Sequence, residues 1–211
     1  SCLVNPRACH ETELVYRPTP KPRSFAVVGA GAAGLAAATV LAERGHDVHL
    51  FEAAGRIGGQ LNLAASIPGK EEFHEMLRYW ARKVEVTGVK LHLNTRADAA
   101  MLAGGGYEEI FLATGVTPRT PPIRGVDHPK VLSYVDVLGK RAPVGKKVAI
   151  IGAGGIGFDV AEFLAKGDHS PTLHLDEWLA EWGVVDPAIT AGGVVKPKAI
   201  TPARHITLLQ R

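Results

Sequence analysis

Gly29-Ala30-Gly31-Ala32-Ala33-Gly34 and Gly152-Ala153-Gly154-Gly155-Ile156-Gly157 are residues whose type and spacing point to chemistry. Each follows a short apolar run, residues 24–28 in the first case and 148–151 in the second. In a G-x-G-x-x-G turn of this kind the first glycine allows a tight exit from a strand. The second lets a pyrophosphate approach the backbone, and the third lets helix and strand pack closely. The helix that follows presents free N–H groups and a positive dipole end to phosphate. Such a site positions a dinucleotide, and the redox chemistry belongs to the cofactor, so no catalytic side chain is expected here.

The elements that must hold these turns are legible from apolar spacing. Ser24–Val28 reads as a buried parallel strand, Ala32 to Arg44 as a helix closed by Gly45, and Asp47 to Phe51 as a second strand. Glu52 stands at the end of that strand, where a carboxylate can bind both ribose hydroxyls. It also disfavours a 2′-phosphate, because like charges would meet. Residues 71–86 fit an amphipathic helix with Phe73, Met76, Leu77 and Trp80 on one face. Val89 to Leu93 and Glu109 to Ala113 read as further strands. Lys147–Ile151 then restarts the pattern, with a helix from about Ile156 to Ala165. Residues 167–204 read as a long insertion holding a short helix at Glu177 to Trp182, and Ile206–Leu209 reads as a strand. If that strand is the second of its unit, its end carries Gln210 and Arg211. Arg211 can pair with a 2′-phosphate, which favours NADPH over NADH at the second site. A solvated charge is the plain alternative for it.

Strands alternating with helices, with the opening unit repeated, give an α/β fold class. The expectation is a doubly wound, Rossmann-like dinucleotide-binding domain, which the resemblance given below makes FAD-binding, followed by a truncated second Rossmann-like NADPH-binding domain. The expected bounds are a linker over 1–23, rich in Pro18, Pro20 and Pro22, then 24–140 and an incomplete 141–211. The chain has 211 residues, 46% hydrophobic and 21% charged, with net charge +3. This is an ordinary globular composition, without the basic footprint of a nucleic-acid or membrane-surface partner. No apolar run is long enough for a membrane span, and no signal peptide is recognised. Cys2 and Cys9 do not make a disulfide framework, so a reducing cytoplasm is expected. The absence of C-x-x-C argues against a dithiol redox role.

Gly58-Gly59 after Glu52, and Ala113-Thr114-Gly115 after an apolar strand, resemble the corresponding positions of glutathione-reductase-type flavoproteins. That order of motifs favours FAD over NAD at the first site. The resemblance becomes narrower over Ser1-Cys2-Leu3-Val4-Asn5-Pro6, Ile67-Pro68-Gly69-Lys70-Glu71-Glu72-Phe73, Glu85-Val86-Thr87-Gly88-Val89, Pro118-Arg119-Thr120-Pro121-Pro122-Ile123, Asp127-His128-Pro129-Lys130-Val131-Leu132-Ser133-Tyr134 and Gly154-Gly155-Ile156-Gly157-Phe158-Asp159. These segments resemble bacterial NADPH-dependent 2,4-dienoyl-CoA reductase, an iron–sulfur flavoprotein of the trimethylamine dehydrogenase-like group, across essentially the whole chain.

That resemblance implies the C-terminal FAD/NADPH portion of a larger protein, the partner being a missing FMN-barrel portion of the parent chain. It implies hydride transfer from NADPH to FAD, then electrons through a 4Fe-4S cluster to FMN for reduction of a 2,4-dienoyl-CoA in fatty acid β-oxidation. FAD would be held by Gly29, Gly31, Ala33, Gly34, Glu52, Gly59, Gln60, Lys70, Thr114 and Gly115. NADPH would be held by Gly152, Gly154, Gly157 and Arg211. Cys2 matches one cluster ligand, and this chain alone cannot complete the cluster. A related iron–sulfur flavoprotein acting on another enone or amine, or a non-catalytic cofactor-binding fragment, are the alternatives. Outside these motifs, His169 and His174 lack a compact metal-ligand spacing. Trp178 and Trp182 suit one packed helical face. Asp98, Glu108 and Glu109 read as solvated charges.

Overall fold

The computed structural model describes residues 2, 4–167 and 169–210. Its elements, in chain order, are β1 (Ser24–Val28), α1 (Ala32–Glu43), β2 (Asp47–Phe51), α2 (Leu61–Ala64), α3 (Glu72–Thr87), β3 (Lys90–His92), α4 (Ala99–Gly104), β4 (Glu109–Leu112), α5 (Tyr134–Leu138), β5 (Lys147–Ile151), α6 (Gly155–Lys166), α7 (Leu175–Trp182) and β6 (His205–Leu209). The chain forms two compact units: residues 1–62 with 73–119, and residues 63–72 with 120–211.

In the first unit, β1 to β4 form a parallel sheet in the order β3-β2-β1-β4. Successive strand residues face opposite sides. Val27, Val48 and Leu50 therefore pack with Leu35 and Ala38 of α1 and Met76, Trp80 and Val84 of α3. Ala26 and Phe51 lie on the other face with Leu102 of α4. Of the apolar face expected on residues 71–86, Met76 and Trp80 are buried and Phe73 and Leu77 partly so, and Val84, outside the expected set, is buried with them. α1 is built from small residues, which lets it lie close to the sheet, and Thr39 satisfies its buried hydroxyl on the Leu35 carbonyl at 2.9 Å. β4 is an edge strand, and all four of its residues are exposed. A parallel strand is ordinarily covered on both faces.

The second unit pairs β5 and β6 in parallel, from Lys147 opposite His205 to Ile151 opposite Leu209. Val160, Phe163 and Leu164 of α6 pack with Ile67, Val137 and Leu138, and Val148, Ile150 and Ile206 join them from the strands. Residues between α6 and β6 contain α7, two short 3-10 turns and a Val184–Val194 bridge. They are fastened to the end of α6, where the Ala203 N–H donates to the Ala165 carbonyl at 2.7 Å and Lys166 lies 3.3 Å from Glu181.

Several local expectations are adjusted. α2, α4 and α5 were not expected from apolar spacing, being too short to show a period. α5 carries a capping box, with Ser133 accepting from the Asp136 N–H and Asp136 accepting from the Ser133 N–H. Asp98, Glu108 and Glu109 remain exposed but have defined partners: Asp98 caps α4, and both glutamates bind Arg23 at 2.9 and 2.6 Å. Trp178 and Trp182 stack obliquely with ring centroids 6.4 Å apart, and Trp182 is 62% exposed, so they do not form a buried face. No helix among the described residues is long and apolar enough to cross a membrane.

Candidate dinucleotide sites

The same strand–turn–helix–strand device occurs in both units. Val28 stands opposite Phe51 in β2, and Ile151 stands opposite Leu209 in β6. The next N–H, of Gly29 or Gly152, donates to the Phe51 or Leu209 carbonyl at 2.8 Å in both units. Gly29 has φ +104° and Gly152 φ +111°, a region an L side chain rarely enters. A Cβ added at Gly34 would overlap the Gly29 carbonyl oxygen, and one at Gly157 would overlap that of Gly152. Both third glycines are therefore required by close packing.

The second glycines differ in kind. Gly31 and Gly154 are the N-caps of α1 and α6, and an added Cβ at either would meet nothing within 4 Å. The space in front of these two caps is open. Neither helix has a side-chain cap or an acidic residue in its first turn. The first-turn N–H groups thus keep their donors and positive potential for an anionic group, and a pyrophosphate fits that requirement. Ala33 is exposed in the first turn of α1.

Around the first turn the remaining expected residues assemble. The Glu52 carboxylate accepts from the Ala30 N–H at 2.9 Å and from the Ala54 N–H at 2.8 Å. It thereby ties the glycine turn to the loop after β2. The Gly58 N–H donates to the Ala30 carbonyl at 2.7 Å. A Cβ on Gly59 would lie 3.4 Å from the Gly31 Cα, so a small residue keeps that approach open. Asn62 holds this Gly-Gly turn through the Ile57 and Gly59 carbonyls at 2.9 and 3.1 Å, a role its sequence context did not reveal. Gln60 donates to the Val116 carbonyl at 3.1 Å, which joins it to the loop containing Thr114 and Gly115. The Ala113 carbonyl is what a Cβ at Gly29 would strike. Gly29, Gly31, Ala33, Gly34, Glu52, Gly59, Gln60, Thr114 and Gly115 thus belong to one cluster of loops at the carboxyl end of β1. These observations fit an FAD-sized dinucleotide there.

Lys70 lies in the second unit, where its ammonium bonds both Asp159 carboxylate oxygens at 2.6 and 2.7 Å. The second turn is less enclosed than the first, since Gly152 has nothing near an added Cβ. Arg211 lies outside the described residues. Gln210 takes the position after β6 that Glu52 takes after β2, and its Oε1 accepts from the Ala153 N–H at 3.1 Å. The β5–β6 register meets the condition under which the sequence placed Gln210 at the end of the second strand, across the intervening residues 167–204.

Cys2 and Cys9 are exposed free thiols. Among the described residues no group of three His, Cys, Asp or Glu side chains can hold a metal ion. An iron–sulfur cluster does not fit this chain's residues alone. His169 is engaged with Glu177 at 2.6 Å and stacks on His174. His169 holds the Glu177 carboxyl below the usual carboxylate range.

The family model for pyridine nucleotide-disulphide oxidoreductases matches residues 23–191. A metal reductase of Desulforamulus reducens is 39% identical over 170 residues, covering 79% of this chain and 25% of that protein. A bilirubin reductase of Mediterraneibacter gnavus is 35% identical over 166 residues, covering 79% of this chain and 26% of that protein. The solved complex of 2-naphthoyl-CoA reductase with 2-naphthoyl-CoA aligns over 100% of this chain and 36% of its own, at TM-score 0.75 and 29% identity. The chain therefore spans about a quarter of the length of these curated relatives. A parallel α/β fold, a doubled dinucleotide turn and a family match across most of the sequence agree: the chain belongs to the pyridine nucleotide-disulphide oxidoreductase family.

Proposed function

We propose that this chain is the electron-entry segment of an NADPH-dependent iron–sulfur flavoprotein of the 2,4-dienoyl-CoA reductase type. The observation that carries the reading is the glycine turn built twice, once with the Glu52 carboxylate at its ribose position and once without. Bound FAD would accept a hydride equivalent from NADPH and release its electrons onward. The chain's own contribution is positioning. The first turns of α1 and α6 hold the two pyrophosphates, Glu52 takes the FAD ribose, and Gly58-Gly59 keeps the approach to Gly31 open. Arg211, next to Gln210 in sequence, would meet the NADPH 2′-phosphate. Lys70 braces Asp159 of α6, and we assign it to the second site's framework.

Acceptance of the electrons, through a 4Fe-4S cluster and FMN, would fall to the FMN-barrel portion that completes the enzyme, with Cys2 as this segment's ligand. A cytoplasmic setting would keep Cys2 and Cys9 reduced. A second reading has its own support: relatives named for bilirubin, cinnamate and 2-naphthoyl-CoA reduction match this segment. The same electron-entry unit then serves a conjugated substrate other than a dienoyl-CoA. The test is anaerobic addition of NADPH to the FAD-loaded flavoprotein, followed by 2,4-dienoyl-CoA. Flavin bleaching and then reoxidation by the thioester is the expected result. Bleaching without reoxidation selects the second reading, and no bleaching refutes both.

A further inference from the structure

Trp80 is the largest fully buried side chain among the described residues, yet its indole N–H has no hydrogen-bond partner among them. An indole nitrogen only donates, so it requires an acceptor, and a buried donor left without one is costly. Trp80 also lines a cavity of about 360 Å³. One wall is Val4–Arg7 with Tyr16. The other is the second half of α1 with Tyr79, Trp80 and Lys83 of α3. All of these residues belong to the first unit, and none belongs to a glycine turn.

We propose that this cavity binds a small aromatic carboxylate. Its charges do not balance. Lys83 lies 2.5 Å from Glu43 on the same wall, so that pair contributes no net charge. Arg7 has no carboxylate partner among the described residues. Its guanidinium sits 5.3 Å from the Tyr16 ring centroid, and its Nη1 donates to the Leu14 carbonyl at 3.1 Å, which holds the group in place and leaves its remaining N–H groups for an anion. A carboxylate supplies both what Trp80 lacks, an acceptor, and what Arg7 lacks, a negative charge in planar form that matches the guanidinium. A phosphate dianion would bring more charge than one cation offsets, beside the Glu43 carboxylate. Tyr16, Tyr79 and Trp80 suit a flat apolar body, and the volume falls in the range of small-ligand sites. Occupancy would fasten Val4–Arg7, the segment that follows Cys2, to the body of the first unit.

The test is calorimetry on the purified protein with 3-phenylpropionate and with its uncharged counterpart, 3-phenylpropanamide. Saturable binding of the carboxylate is expected, with the amide weaker by about tenfold or more, the worth of one charged hydrogen bond. Arg7→Gln should abolish that preference, so that the two probes bind alike. Trp80→Phe keeps a ring and removes the N–H, and it should weaken both probes by about two- to tenfold. Circular dichroism reports whether each variant keeps the fold. Should Trp80→Phe lose it, the exposed-side change Arg7→Gln decides the matter alone. Absence of saturable binding at millimolar 3-phenylpropionate overturns the site. So does a preference for the carboxylate that persists in Arg7→Gln, because the ligand then sits elsewhere.

Discussion

At the residue scale the decisive groups are Glu52 and the third glycine of each turn. Glu52 makes two charge-assisted bonds to backbone N–H groups, and in the proposed reading it also meets the ribose. Replacing it with alanine removes both bonds at once. It also removes the carboxylate proposed to meet the ribose, one charged contact worth about 1.5–3 kcal/mol, so FAD affinity is expected to fall by one to two orders of magnitude, as flavin-fluorescence titration will show. An unchanged affinity would remove Glu52 from the site. The glycine turns and Glu52 were legible in the sequence because they are local: strand, turn, helix and acid follow one another within 30 residues. The bond between Lys70 and Asp159 was not legible, since 89 positions separate them and only tertiary packing brings them together.

At the element scale, β2 and β3 carry a pH-dependent pair. His49 Nδ1 and His92 Nε2 lie 3.0 Å apart, with the rings stacked, so one nitrogen must act as acceptor. Burial pushes the His49 imidazole below its ordinary value, the Lys90 ammonium and His92 act in the same direction, and Asp47 opposes them. A folded-state value that is lowered means that the unfolded chain binds the proton more readily. Stability is therefore fully present above the ordinary imidazole value of about 6.5 and is lost as the pH falls toward the folded value. Thermal unfolding is expected to shift to lower temperature on going from about pH 7 to about pH 5, and His49→Gln should flatten that dependence. α5 behaves differently. Lys140 and then Ser133 hold the Asp136 carboxyl well below the usual carboxylate range, so its cap persists through mild acid. Ser133→Ala should cost about 0.5–2 kcal/mol in chemical denaturation. That helix could have been found from Ser133-Tyr134-Val135-Asp136, a capping pattern in a segment otherwise dominated by proline. The periodicity of a five-residue helix is too brief to register.

At the scale of the whole molecule the two units have separate cores, one around Trp80 and the other around Phe163. Trp80 is 1% exposed, and Trp80→Ala should destabilise the first unit by about 3–5 kcal/mol, read by denaturant unfolding. The repeat of the βαβ unit was legible because each copy announces itself with the same glycines. The correspondence of Gln210 with Glu52 was legible only on the condition that Ile206–Leu209 is the second strand of its unit, because the residues between α6 and β6 push it far down the chain; the register from Lys147–His205 to Ile151–Leu209 meets that condition. In the proposed function the chain holds two separate dinucleotide sites, FAD at the first turn and a nicotinamide cofactor at the second. The most direct measurement compares Gly34→Ala with Gly157→Ala for FAD content and for anaerobic flavin reduction by NADPH. Each new methyl would meet a backbone carbonyl, in the first turn or the second. Gly34→Ala should lose FAD, whereas Gly157→Ala should retain FAD that NADPH no longer reduces. Retention of FAD in Gly34→Ala, or undiminished reduction by NADPH in Gly157→Ala, would contradict the assignment.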